Sequence, residues 1–107
     1  MGENESRFRL VNERVRDLVI DDAERHGEHP DSVSVVCECG DVDCTAKIDI
    51  SLSTYEWVRS GSARFIVVPG HEIADSERIL RQGDGYAIVE KVGDARAAAS
   101  ELDPRTN

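Results

Sequence analysis

Long apolar runs are missing from this chain of 107 residues, since none approaches the roughly 20 residues that a membrane-spanning helix requires. We expect no secretory leader, because residues 1–6 contain no basic residue and no apolar segment follows them. Aromatic residues are few, with two Phe, two Tyr and one Trp. A fold of this length buries only about 60–70% of its unfolded surface. We therefore expect one small cytoplasmic domain over residues 1–107, with a core that needs additional support.

Basic residues are scarce as well: 13 Lys and Arg stand against 22 Asp and Glu, which gives a formal net charge of −9. Nucleic-acid-binding proteins owe much of their affinity to basic side chains that neutralise phosphates, so we expect no nucleic acid partner. Because the sequence has no membrane-spanning apolar run, we expect no membrane partner either. The N-terminal segment does carry Arg7, Arg9, Arg14 and Arg16. Acidic residues interleave with these arginines, which favours a solvated, internally paired helix face over a binding stripe.

Common catalytic motifs are absent from the sequence. It contains no P-loop, no G-x-G-x-x-G and no G-x-S-x-G. His71-Glu72 is followed by Ile73-Ala74-Asp75, so the second histidine of the metalloprotease motif H-E-x-x-H is missing. The P-C-x-x-C string of zinc deaminases does not occur either. These absences favour a binding or regulatory protein over an enzyme.

Hydrophobic periodicity predicts an amphipathic helix over residues 6–26, ended by Gly27. Its apolar stripe consists of Phe8, Val11, Val15, Leu18 and Val19. A second, short helix is predicted from Thr54 to Arg59, with Ser53 and Glu56 as a capping box. An alanine-rich segment over residues 95–101 predicts a weak third helix.

Alternating patterns predict two hairpins, one from strands over residues 33–37 and 46–50 and one from strands over 78–82 and 86–92. The apolar run over residues 64–68 predicts a central strand covered on both faces. The sequence thus predicts an α+β domain, with a mostly antiparallel sheet of about five short strands and the N-terminal helix packed on one face. We expect an ordered core over about residues 6–98, with frayed ends at 1–5 and 102–107.

Three cysteines lie within eight residues, in the pattern C-x-C-x4-C at Cys37, Cys39 and Cys44. Alternate strand residues point to the same side, so the first two thiols can project together, and a turn through Gly40 can bring Cys44 back to them. Cys37 alone would be explained as a small buried hydrophobe, but the other two fall in a turn rich in Gly and Asp. Three clustered thiols suit a soft tetrahedral cation, and we expect Zn²⁺. Their odd number argues against a disulfide framework.

A structural zinc site needs a fourth ligand, and the chain offers three histidines. We expect His71, because Pro69-Gly70 can turn the chain after the predicted central strand and aim this side chain across the sheet end. His26 and His29 are alternatives, although the helix dipole alone explains a histidine at a helix C-terminus. Asp41, Asp43 or a water molecule are further candidates.

Several short strings resemble a group of short, uncharacterised bacterial proteins that share a C-E-C…C…R-F…P-G-H-E arrangement. These strings are Val36-Cys37-Glu38-Cys39, Cys44, Tyr55-Glu56, Val58-Arg59, Arg64-Phe65, Val68-Pro69-Gly70-His71-Glu72 and Val89-Glu90-Lys91-Val92. The resemblance covers most of the chain, from Phe8 to Val92. It implies that the cysteines and His71 belong to one site, and it carries no established activity.

These observations lead us to expect a zinc-binding domain with a structural site of three cysteines and one histidine, acting on a protein partner or in regulation. A redox protein is one alternative, with an iron–sulfur cluster or an oxidation switch at the thiolates. In the cluster proteins with a similar C-x-C, however, the histidine follows the last cysteine closely, whereas His71 comes 27 positions after Cys44. A metal-dependent enzyme, with Glu38 or Glu72 as a base, is the other alternative, but three thiolates form an anionic centre that activates water poorly.

Overall fold

The computed structural model describes residues 2–41 and 43–105 and confirms the α+β architecture. The described elements are three helices and five strands: α1 (Gly2–Arg25), β1 (Ser32–Val36), β2 (Lys47–Ser51), α2 (Leu52–Arg59), β3 (Arg64–Val67), β4 (Glu77–Gly83), β5 (Tyr86–Lys91) and α3 (Asp94–Glu101). The fraying expected at residues 1 and 106–107, and position 42 of the expected cysteine turn, lie outside the described residues.

The strands form two antiparallel sheets instead of one. β1 and β2 make a hairpin, and β5 lies between β3 and β4 in a second sheet of three strands. The prediction of β3 as the central strand is therefore wrong, although Phe65, Ile66 and Val67 are all buried. Its outer edge is covered because the backbone N–H of Glu38 donates to the carbonyl of Ile66 at 2.8 Å. A continuous apolar run indicates a strand that is buried on both faces. An edge strand can also be buried in this way when other segments of the same polypeptide pack against it.

Helix α1 buries a polar face, and the predicted apolar stripe is wrong in part. Val11 is 45% and Leu18 69% exposed. The buried positions instead recur at helical spacing and are Glu5, Ser6, Arg9, Asn12 and Glu13. The guanidinium of Arg9 lies 4.4 Å from the ring centre of Phe65 and donates to the carbonyls of Ser62 and Ala99, at 2.7 Å each. Periodicity locates a helix, but it misassigns the inner face when polar side chains find partners inside.

Helix α2 begins two residues earlier than the capping box predicted. Ser51 is the N-cap, and its Oγ accepts a hydrogen bond from the N–H of Thr54 at 3.1 Å. The assignment of Ser53 as N-cap is therefore wrong. Glu56, expected to cap the helix, instead accepts hydrogen bonds from Arg16 at 2.9 Å and Arg105 at 2.8 Å. No helix in the described part of the chain combines the length and the apolar character needed to cross a bilayer.

Buried ion pairs anchor both ends of the described chain. Lys91, 2% exposed, pairs with Glu5 of α1 and with Glu77 of β4. The fully buried side chain of Arg59 pairs with Asp103. Removing one partner of a buried pair typically costs about 3–5 kcal/mol, because the remaining charge has no counterion. Glu5 and Asp103, which we expected in frayed segments, are therefore packed into the protein.

Glu13 connects α1 to the C-terminal segment through hydrogen bonds from Tyr55 at 2.8 Å and Arg105 at 3.0 Å. Burial on its own raises the pKa of Glu13. The hydrogen bonds from Arg105 and Tyr55, together with the charge of Arg59, outweigh burial and lower this pKa from 4.5 to about 2. The folded state thus stabilises the ionised form of this carboxylate relative to the unfolded state.

We expect Glu13→Gln to weaken the acid sensitivity of the fold. Because the folded pKa lies below the unfolded value, the stabilisation by Glu13 is fully present above about pH 4.5 and is lost as the pH falls towards 2. The free energy of unfolding of the wild type, measured by urea titration with EDTA present, should therefore fall more steeply over this range than that of the variant. Glu24→Gln, at an exposed position of the same helix, is the control. If the free energy of unfolding fell equally steeply with pH in the wild type and in Glu13→Gln, the lowered pKa of Glu13 would be contradicted.

Candidate metal centre

The structure brings together the four side chains that the sequence proposed as ligands. The ligand atoms of Cys37, Cys39, Cys44 and His71 all lie within 4.8 Å of one another. Nδ1 of His71 is 3.6 Å from Sγ of Cys37 and 3.7 Å from Sγ of Cys44. Bonds of about 2.3 Å to sulfur and 2.0–2.1 Å to nitrogen at tetrahedral angles separate the two ligand atoms by about 3.6 Å. The group could therefore hold a metal ion with little rearrangement.

The cysteine arm of the site is the connection that follows β1. Gly40 has φ of +83°, in the left-handed region, and a Cβ at this position would lie only 2.6 Å from Cγ of Glu5. Both the turn and the approach of α1 thus require glycine here. The N–H of Cys44 donates to the carbonyl of Asp41 at 3.0 Å. This turn directs the third thiol back towards Cys37.

The histidine arm follows β3 and begins with a contact to the cysteine arm. The N–H of Val68 donates to Sγ of Cys37 at 3.2 Å. The N–H of His71 then donates to the carbonyl of Val68 at 2.9 Å, which closes a turn over Pro69 and Gly70. Gly70 takes φ of +95° in this turn. The P-G-H string therefore aims His71 at the thiols, as the sequence predicted.

Burial favours the protonated form of two of the thiols, those of Cys37 and Cys39, when no cation is bound. It raises the pKa of Cys37 to about 12, although the N–H of Val68 lowers it, and it also raises the pKa of Cys39. Thiols with raised pKa values stay protonated at neutral pH. A bound cation favours the thiolate form, so metal binding at this site must displace protons.

Glu38, between the first two cysteines, is a structural residue of the site. Its side chain is fully buried, and its two oxygens accept separate hydrogen bonds, one from Nδ2 of Asn12 at 2.7 Å and one from the N–H of Ile66 at 3.0 Å. Burial raises the pKa of Glu38 to about 7, against the lowering effect of these two donors. Because both oxygens of this buried carboxylate already accept hydrogen bonds from the protein, Glu38 is poorly placed to act as the catalytic base considered for it.

Asn12 is the site residue that sequence reasoning missed. It supports the cysteine arm from α1, and it is fully buried. One signal was available: asparagine is a poor helix former in a helix interior, so its presence midway along a long helix indicates a specific partner. The sequence could not reveal that this partner is Glu38, because the two residues lie 26 positions apart.

The other candidate ligands lie outside the group of four. His26 is exposed at the end of α1, with Nδ1 2.8 Å from the carbonyl oxygen of Asp22. His29 is exposed in the following loop. Asp41 uses its carboxylate within the turn, where it accepts from the N–H of Asp43 at 2.9 Å. Within residues 2–41 and 43–105, the cysteines and His71 form the one group with the geometry of a metal site.

We expect Cys39→Ser and His71→Ala to lose most of the metal that the wild type binds, since each removes one of four ligands. His26→Ala and His29→Ala should retain it, because these histidines lie elsewhere. Elemental analysis of the five purified proteins measures the outcome. Metal loss from His29→Ala with retention by His71→Ala would contradict this ligand set.

No protein-family model matches the chain, and neither a curated protein nor a solved structure is similar to it. The comparisons therefore transfer no activity or partner to this protein. What the site can do follows from its four side chains and the contacts that hold them.

Proposed function

We propose that Cys37, Cys39, Cys44 and His71 bind one Zn²⁺ ion as a structural site, in a domain that acts in protein–protein interaction or regulation. The observation that carries the proposal is a complete set of four protein ligands with the spacing of a tetrahedral ion. Structural zinc sites have four protein ligands, whereas catalytic sites keep one position for water. Three thiolates and one imidazole suit zinc better than the hard cations Mg²⁺ and Ca²⁺.

The position of the site supports a structural role. Its cysteine arm follows β1 of the two-stranded sheet, and its histidine arm follows β3 of the three-stranded sheet. A metal ion here ties the two sheets together. For zinc-finger peptides the apparent free energy of metal binding is about 10–16 kcal/mol. The free energy of unfolding of a typical domain is roughly 5–15 kcal/mol, so even a fraction of the zinc-binding free energy would stabilise this one substantially. Zinc thus supplies the support that a core with few aromatic residues needs.

The expected setting and partner follow from composition. The three cysteines are free in the structure, which fits a reducing compartment such as the cytoplasm. A net charge of −9 favours a protein partner over nucleic acid or an anionic membrane surface. We propose that the bacterial proteins with the C-E-C…C…R-F…P-G-H-E arrangement share this site.

A second candidate function is that of an oxidation switch. It is favoured by the exposure of His71 and the partial exposure of Cys39 and Cys44. Two thiolates, one peroxide and two protons would give one disulfide and two water molecules, and zinc would leave. Release of zinc at peroxide concentrations that leave the remaining structure intact would favour the switch over an inert structural site.

Zinc removal tests the proposed function directly. A ligand present at 100 times its dissociation constant stabilises the folded state by about 2.7 kcal/mol, and each kcal/mol shifts the melting temperature of a small domain by about 4–8 °C. We therefore expect EDTA to lower the melting temperature by at least about 10 °C and Zn²⁺ to restore it, while Mg²⁺ does not. Protein purified without stoichiometric zinc, and with an unchanged melting temperature in EDTA, would contradict the proposal. If the purified protein showed the visible absorption of an iron–sulfur cluster, that result would favour the cluster over zinc as the cofactor of this site.

A further inference from the structure

Helix α1 reaches the metal centre through the buried amide of Asn12. Nδ2 of Asn12 donates to the carbonyl of Val36 at 2.9 Å, and the N–H of Val36 donates to Oδ1 at 2.8 Å. Nδ2 also donates to Oε2 of Glu38 at 2.7 Å. The residues immediately before and after Cys37 are thus both held by one side chain of α1.

Glu38 extends this connection from the cysteine arm to the histidine arm. Its backbone N–H and its Oε1 both bind the backbone of Ile66, at 2.8 Å and 3.0 Å. Two residues further along the chain, the N–H of Val68 contacts Sγ of Cys37, and the turn to His71 follows. The separation between the thiols and the imidazole therefore depends on Glu38, whose carboxylate is in turn oriented by Asn12.

A second line of buried contacts runs from α1 to the same two arms. Glu5 packs against Gly40 of the cysteine turn, where even a Cβ would collide with it. Glu5 also pairs with Lys91, which pairs with Glu77. Oε1 of Glu77 accepts from the N–H of Ile73, two residues after His71, at 2.8 Å. Helix α1 thus contacts the cysteine arm at two levels along its length, and each of these contacts continues through buried side chains to the histidine arm.

From these contacts we infer that α1 is part of the metal centre: Asn12 is a positioning residue acting through Val36 and Glu38, and docking of α1 is coupled to metal occupancy. The inference rests on the proposed function, because it takes Zn²⁺ as the ion. Coupling between two equilibria is reciprocal. Loss of zinc therefore loosens α1, and loss of the α1 contacts weakens zinc binding by the same factor.

The inner face of α1 is polar, and this composition lowers the free-energy cost of detaching the helix from the rest of the domain. Its buried residues include Glu5, Arg9 and Glu13, which water solvates well once the helix leaves. A helix held by polar contacts depends on the geometry of its partners, and the metal fixes that geometry at the cysteine turn. Release would expose both this charged face and the buried cations Arg59 and Lys91 that it covers.

The zinc affinity of Asn12→Ala tests the positioning role. Loss of a residue that orients metal ligands typically weakens metal binding about 10–100-fold, and we expect this loss in a competition titration with a chromophoric zinc chelator. Arg14→Ala, on the exposed side of α1, and Val58→Ala, a buried change on α2, are the controls. Val58 takes no part in the hydrogen bonds and ion pairs that link α1 to the metal centre, and Val58→Ala should lower the melting temperature by the cavity it leaves. It therefore separates general destabilisation from positioning. Wild-type affinity in Asn12→Ala would overturn the inference.

Hydrogen exchange of the wild-type protein tests the coupling without any substitution. We expect EDTA to accelerate amide exchange in α1 more than in the central strand β5, and added Zn²⁺ to reverse the change. Equal acceleration in both elements, or none in α1, would overturn the coupling while leaving zinc binding intact. A wild type that binds no zinc in the titration would overturn the proposed function, and this inference with it.

Discussion

The burial of Glu38 is the constraint on which the rest of this structure depends. A carboxylate with no exposure to solvent is costly unless each oxygen is satisfied, and here one donor comes from α1 and the other from β3. Those two donors fix the segment between Cys37 and Cys39 against two other elements. The position of the thiols, the covered edge of β3 and the contact of α1 with the cysteine arm therefore depend on the same few hydrogen bonds.

Other buried charged side chains of the interior are also paired with partners from distant parts of the chain. Arg59 and Lys91 are almost fully buried, and each is matched by carboxylates from distant parts of the chain. Buried pairs of this kind contribute little net stability relative to well-packed apolar residues, but breaking one is expensive. They accordingly favour one arrangement of helices and sheets over alternatives. A metal ion bound between the two sheets would complement them, because it adds binding free energy where the pairs mainly add specificity.

Glu13 and Glu38 show how opposite electrostatic outcomes arise on neighbouring parts of one network. Both carboxylates are buried, yet the pKa of Glu13 falls to about 2 while that of Glu38 rises to about 7. Glu13 receives hydrogen bonds from a guanidinium and a phenol and lies beside Arg59, whereas Glu38 receives neutral amide donors in a fully buried position. The number and charge of the donors, and the depth of burial, decide the sign of each shift.

Local patterns determined much of this protein. Alternation and turn residues located the hairpins, the cysteine spacing with the P-G-H string identified the four grouped side chains, and the element types assembled as an α+β fold. Tertiary structure alone decided that β3 lies at a sheet edge and that α1 turns Asn12 inward instead of Leu18. The physical reason is that periodicity records where apolar side chains recur, whereas a polar side chain is buried only when a partner far along the chain satisfies it. The pairing of Asn12 with Glu38 is such a contact, and it is visible only after folding.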